Sequence, residues 1–143
     1  MIFISHRGNI NGNNFLENNP DYISETIGKG FDVEIDVWLK NGQLYLGHDY
    51  PQYPIHINFL KNDKLWCHAK SLQALEVMIE EGVHCFWHQE DDFTLTSRQF
   101  IWTYPNKLVG KKSIIVCKDL EETIHYSNLN IAGICSDFIG AIN

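Results

Sequence analysis

Short apolar runs alternate with polar or amphipathic segments along the whole chain, and their lengths predict strands interleaved with helices. Strands are expected at Ile2–Ser5, Asp32–Leu39, Gln43–Gly47, Leu65–Ala69, His84–Trp87, Phe100–Thr103, Ser113–Cys117 and Ile131–Ser136. Asn41-Gly42, between the second and third runs, predicts a tight hairpin turn. Asn19 can cap a helix that starts at Pro20 and stops at Gly28. Ser71 can cap "LQALEVMIEE", in which Leu72, Leu75, Met78 and Ile79 form one apolar face and Gly82 ends the helix. Asp119 and Glu122 have capping-box spacing ahead of "TIHYS".

Two stretches resist this pattern. "QEDDFTLTSRQ" is too polar for a packed helix, and Asp49 to Asn62 reads as irregular. The rest, strand then helix then strand, predicts an α/β fold with parallel strands. No repeat, low-complexity tract or linker breaks the 143 residues, so one domain over 1–143 is expected.

Composition narrows the function classes. A hydrophobic content of 44%, with 13% aromatic residues, is ample for a core. A formal charge of −7 argues against sequence-independent nucleic-acid binding, which needs basic patches to neutralise phosphates. A small phosphorylated ligand needs only a few local cations and stays open. No apolar run approaches the ~18 residues of a membrane span. The start "MIFISHRG" lacks the basic region and apolar length of a signal peptide. Cys67, Cys85, Cys117 and Cys135 are widely spaced in apolar runs, as expected of buried reduced thiols in a cytoplasmic protein; a zinc site is the lesser alternative.

The chemistry-bearing residues gather at the ends of the predicted strands. His6 and Arg7 close the first. Glu34 and Asp36 lie two apart in the second, so both point to one face. His48 and Asp49 end the hairpin's return strand, His68 and Lys70 close the next, and His88, Trp102, Tyr104, Lys118 and Asp137 follow at later ends. That edge is where α/β sheets and barrels bind ligands. Buried there without partners, two carboxylates would cost several kcal/mol, and a bound Mg²⁺ or Ca²⁺ would remove the difficulty. In the competing arrangement, Glu34 and Asp36 face solvent while Val33, Ile35 and Val37 are buried. His56, His84 and His125 read as structural or surface residues, and Trp102 and Tyr104 as core more readily than ligand platform.

The ordered motifs "HRG", "EN", "EID" and "GHD" resemble the glycerophosphodiester phosphodiesterases, relatives of the phosphatidylinositol-specific phospholipases C. Seventeen positions lead from Glu17 to Glu34 and twelve from Asp36 to His48. The resemblance covers about the first fifty residues and thins thereafter. The family's Glu-x-Lys strand is matched by His68-Ala69-Lys70, and "GICSDF" with Asp137 resembles its final strand.

The resemblance implies a TIM-type (β/α) barrel, here reduced, with several outer helices shortened or missing, because such barrels typically need ~250 residues. A second subunit could cover apolar surface left bare. It also implies metal-dependent hydrolysis of a glycerophosphodiester or similar small phosphodiester. Glu34 and Asp36 would hold the ion, with Glu17 and His68 completing or supporting the shell. His6 and His48 would be the acid–base pair, Arg7 and Lys70 would bind phosphate, and His88, Trp102 and Asp137 are candidate substrate contacts. Mg²⁺ or Ca²⁺ suits the carboxylates, while His68 opens Mn²⁺ or Zn²⁺. Two alternatives remain: an inactive binding module that keeps a phosphate or sugar pocket, and a lyase that forms a cyclic phosphate.

Overall fold

Strand β1 (Ile2–His6) runs parallel to β2 (Asp32–Lys40), and helix α1 (Pro20–Gly28) makes the crossover between them. The computed structural model describes residues 1–142. Asn19 caps α1 as its position suggests: its Oδ1 accepts from the Asp21 and Tyr22 amides. After Asn41-Gly42, β3 (Gln43–Leu46) returns antiparallel to β2, and β4 (Tyr53–Ile55) returns antiparallel to β3. The one-turn helix α2 (Ile57–Leu60) then leads to β5 (Leu65–Ala69), which pairs parallel with the other edge of β2.

Helix α3 (Leu72–Glu80), capped by Ser71, connects β5 to β6 (Cys85–Trp87). The hairpin β7 (Phe93–Leu95) and β8 (Ile101–Thr103) follows. Strand β9 (Ser113–Cys117) pairs parallel with β8. Helix α4 (Leu120–Ser127), capped by Asp119, leads to β10 (Gly133–Ser136), which lies between β9 and β1. A 3-10 turn covers Ile139–Ile142.

The result is a mixed ten-stranded sheet curled into a half-barrel. The expectation of a TIM-type (β/α) barrel is therefore wrong. Only α1, α3 and α4 act as crossover helices of any length; hairpins β2–β3–β4 and β7–β8 take the place of others, and they bring antiparallel pairs. Nor does the ladder close, because β6 pairs with β5 alone. Across the gap, the Ser97 amide donates to the Cys85 carbonyl and Thr94 Oγ1 to the Trp87 carbonyl. Both stretches expected to be irregular hold short strands, β4 and β7.

Each face of the sheet has its own apolar cluster. On the convex side Val33, Ile35 and Val37 of β2 pack with Leu65, Cys67 and Cys85, beneath Ile23 of α1 and Ala74 and Met78 of α3. On the concave side Ile4, Trp66, Phe86, Trp102, Ile114 and Cys135 form a plug. The strand alternation that buries Val33, Ile35 and Val37 outward necessarily turns Glu34 and Asp36 inward, onto the rim of that plug. They are 3% and 0% exposed, which rules out the arrangement in which they face solvent. All four cysteines are free and buried. No described helix is long and apolar enough to cross a membrane.

Candidate metal and acid–base site

Parallel register sets the first level of the site. His6 is paired with Glu34, and Asp36 with His68, so four inward side chains from β1, β2 and β5 meet above the plug. Arg7 would point away from His6 in a continuing strand. Its left-handed backbone (φ 57°) breaks the alternation, and both residues line one cavity of about 530 Å³. His48, Lys70, His88, Gln89, Trp102, Tyr104 and Lys118 line it too.

Asp36 is the electrostatic centre. Its Oδ2 accepts from Asn18 Nδ2 (2.9 Å) and lies 3.1 Å from Arg7 Nε and 3.3 Å from His48 Nδ1, the last two poorly aligned for hydrogen bonds. Its Oδ1 faces His68 Nδ1 at 3.0 Å and Lys70 Nζ at 4.0 Å. Burial alone would raise its pKa, but the His48 and His68 rings and Arg7 hold it well below the ordinary carboxylate value. Glu34 goes the other way: burial, then the charge of Asp36, pushes its pKa up. Its Oε2 is buried with no hydrogen-bond partner, 3.8 Å from His6 Nε2.

His6 is held from behind. Its Nδ1–H donates to Asp137 Oδ1 at 2.9 Å, and Asn9 Nδ2 donates to the same oxygen at 2.7 Å. Burial opposes protonation of the ring, but Asp137 and Glu34 outweigh it and raise the His6 pKa. Arg7 loses to burial and gains from Asp36, Glu34 and Glu17, ending above its ordinary value. His68 is likewise raised, because Asp36 and Glu34 overcome its burial.

The predicted residues therefore divide. His6, Arg7, Glu34, His48, His68, Lys70, His88 and Trp102 share the cavity. Glu17 does not join the carboxylate pair: it accepts from Asn9 Nδ2 (2.8 Å) and Arg7 Nη1 (3.2 Å), and so braces the arginine. Asp137, expected as a substrate contact, sits behind His6 as its partner. Asn9, Asn18 and Asp91 carried no assignment from the sequence. Asn18 clasps Asp36 twice, by side chain and through the Asp36 amide. The "EN" motif was the one available hint, and it drew attention to Glu17 instead.

Glu34, Asp36 and His68 each offer a donor atom, and the three atoms lie within 4.8 Å of one another. An orphaned buried carboxylate oxygen costs roughly 1–3 kcal/mol or more. The unpartnered Glu34 Oε2, beside a second acid and an imidazole, fits a cation well.

Comparison of the chain with family models, with curated proteins and with solved structures returned no significant match. The resemblance of the first fifty residues thus gains no support from relatives.

Proposed function

We propose that the chain is a metal-dependent phosphodiesterase that acts on a glycerophosphodiester or similar small phosphodiester with His6 and His48 as its acid–base pair. The observation that carries this is the meeting of His6, His48, His68, Glu34, Arg7 and Lys70 around one cavity, with Asp36 buried beneath them against Arg7, His48 and His68. Glu34, Asp36 and His68 would hold a divalent cation, which when bound supplies charge that polarises a phosphoryl oxygen.

The remaining roles follow from hydrogen bonding. An ionised Asp137 can only accept, so it fixes a proton on His6 Nδ1 and leaves Nε2, 3.8 Å from Glu34 Oε2, as the nitrogen that exchanges a proton with substrate. His6 is therefore assigned as the base that takes the proton of the attacking hydroxyl. His48, with its ring 40% exposed at the mouth, is assigned as the acid that protonates the departing alcohol. Arg7, aimed by Glu17, and Lys70 bind the phosphate oxygens and offset the charge that builds on them.

Incubation with glycerophosphodiesters and a divalent cation is expected to release glycerol phosphate. His6→Ala and His48→Ala are each expected to slow release by about 10²–10⁴-fold. One feature favours the binding-module alternative: Arg7, His48, His68 and Lys70 already surround Asp36, so its charge is offset without an ion. Phosphate-ester binding without turnover, for any cation supplied, would select that alternative.

A further inference from the structure

We propose that His68 is a direct metal ligand through Nδ1, and that its presence makes the centre a Mn²⁺ or Zn²⁺ site in preference to Mg²⁺ or Ca²⁺. This rests on the reading of the cluster as a cation site and is independent of the reaction.

The tautomer is set from outside the site. His68 Nε2 lies 2.8 Å from the main-chain carbonyl of His88, and a carbonyl only accepts. Nε2 therefore carries a hydrogen, and the neutral ring has its lone pair on Nδ1. That lone pair faces Asp36 Oδ1 at 3.0 Å and Glu34 Oε1 at 3.9 Å. With the ring neutral, three acceptors converge on one point, an arrangement that either a proton on Nδ1 or a metal ion relieves. A proton on Nδ1 would satisfy Asp36 but leave the Glu34 carboxyl without a bond, its Oε1 3.9 Å from Nδ1 and its Oε2 unpartnered on the His6 side, whereas a metal ion draws on all three side chains.

The ring is also braced as metal-ligating imidazoles usually are, by a partner on its far nitrogen. It stacks on Phe86 (centroids 5.4 Å apart, planes at 5°), and Phe86 stacks on Trp102. The carbonyl that orients it belongs to a clamped turn: Asp91 accepts from His88 Nδ1 (2.8 Å) and from the Gln89 amide (3.0 Å). Asp91 is thus a positioning residue that acts on the ion through His88 and His68. A donor set of two oxygens and one imidazole nitrogen suits Mn²⁺ or Zn²⁺, while Mg²⁺ and Ca²⁺ favour oxygen alone.

The test is Mn²⁺ titration of the full chain followed by electron paramagnetic resonance. Bound Mn²⁺ is expected to show hyperfine coupling to a directly bound imidazole ¹⁴N. His68→Glu is expected to keep an ion but lose that coupling, and Asp91→Asn to weaken Mn²⁺ binding about tenfold while keeping it. In the wild-type chain alone, a tenfold excess of Mg²⁺ or Ca²⁺ is expected to leave Mn²⁺ in place. Bound Mn²⁺ without nitrogen coupling, coupling that survives His68→Glu, or ready displacement by Mg²⁺ would each overturn the proposal and leave the cation reading standing. No Mn²⁺ bound at millimolar concentration would overturn both.

Discussion

Glu34 and Asp36 sit two positions apart in one strand and differ in every electrostatic respect. Asp36 is ringed by donors and stays ionised; Glu34 has an oxygen with no partner and a raised pKa. Their shared direction was legible from the i, i+2 spacing, but their different fates were not. Those depend on Asn18, Arg7 and His68, which tertiary contact alone brings in. The same holds for Asp137, which meets His6 across 131 positions of sequence. Asp137→Asn should let the His6 ring turn and lose its tautomer, lowering turnover by about 10²-fold or more with little change in folding; unchanged kinetics would remove Asp137 from the mechanism. His84, which the sequence leaves as structural or surface, is buried and gives a pH prediction. Its ring lies against Trp66, with Nε2 bonded to Thr96 Oγ1, and burial, aided by Arg98, pushes its pKa from 6.5 down to about 4. The unfolded chain therefore binds the proton that the folded chain refuses. This contribution to stability is fully present above pH 6.5 and drains as pH falls toward 4, by on the order of 3 kcal/mol in all. Urea midpoints taken at neutral and mildly acid pH should differ less in His84→Gln than in the wild type.

At the scale of elements, the capped helices and longer strands were readable because period and cap residues agree. Asn19, Ser71 and Asp119 all cap as their spacing suggests. Strands β4 and β7 were missed because three residues cannot display an alternation, and α2 because one turn has no periodicity. The turn after β3 shows how an element aims His48, the proposed acid. Gly47 has φ 155°, and a Cβ there would collide with the Tyr50 carbonyl. Only glycine lets the chain fold so closely and present His48 over Asp36. Gly47→Ala should displace His48 and reduce turnover by roughly 10–100-fold, since an ångström of misplacement is costly. Steady-state kinetics on the folded variant would check it.

At the scale of the whole fold, the described residues hold only three crossover helices of any length, α1, α3 and α4, too few for the alternating helices of a (β/α) barrel. Hairpins replace helices, the ring stays open between β6 and β7, and an aromatic plug occupies the concave side where a barrel would stack layers of branched residues. Strand-end positions bring His6, Arg7, Glu34, His48, His68 and Lys70 to one cavity, because strand ends are read locally while closure depends on the total number of elements. Phe86, between Trp102 and the His68 ring, joins plug to site. Phe86→Ala should cost about 3–5 kcal/mol, read from urea denaturation, and weaken ion binding in proportion to the loosened His68; a loss of stability with undiminished ion binding would separate the plug from the site.

The most direct test of the central claim is a crystal of the full chain soaked with Mn²⁺ and inorganic phosphate, with anomalous diffraction used to locate the metal. The account predicts one peak shared by Glu34, Asp36 and His68, with phosphate beside it against Arg7 and Lys70 and within reach of His6 and His48. A peak elsewhere, or phosphate lodged on Arg7 with no metal beside Glu34, would contradict it.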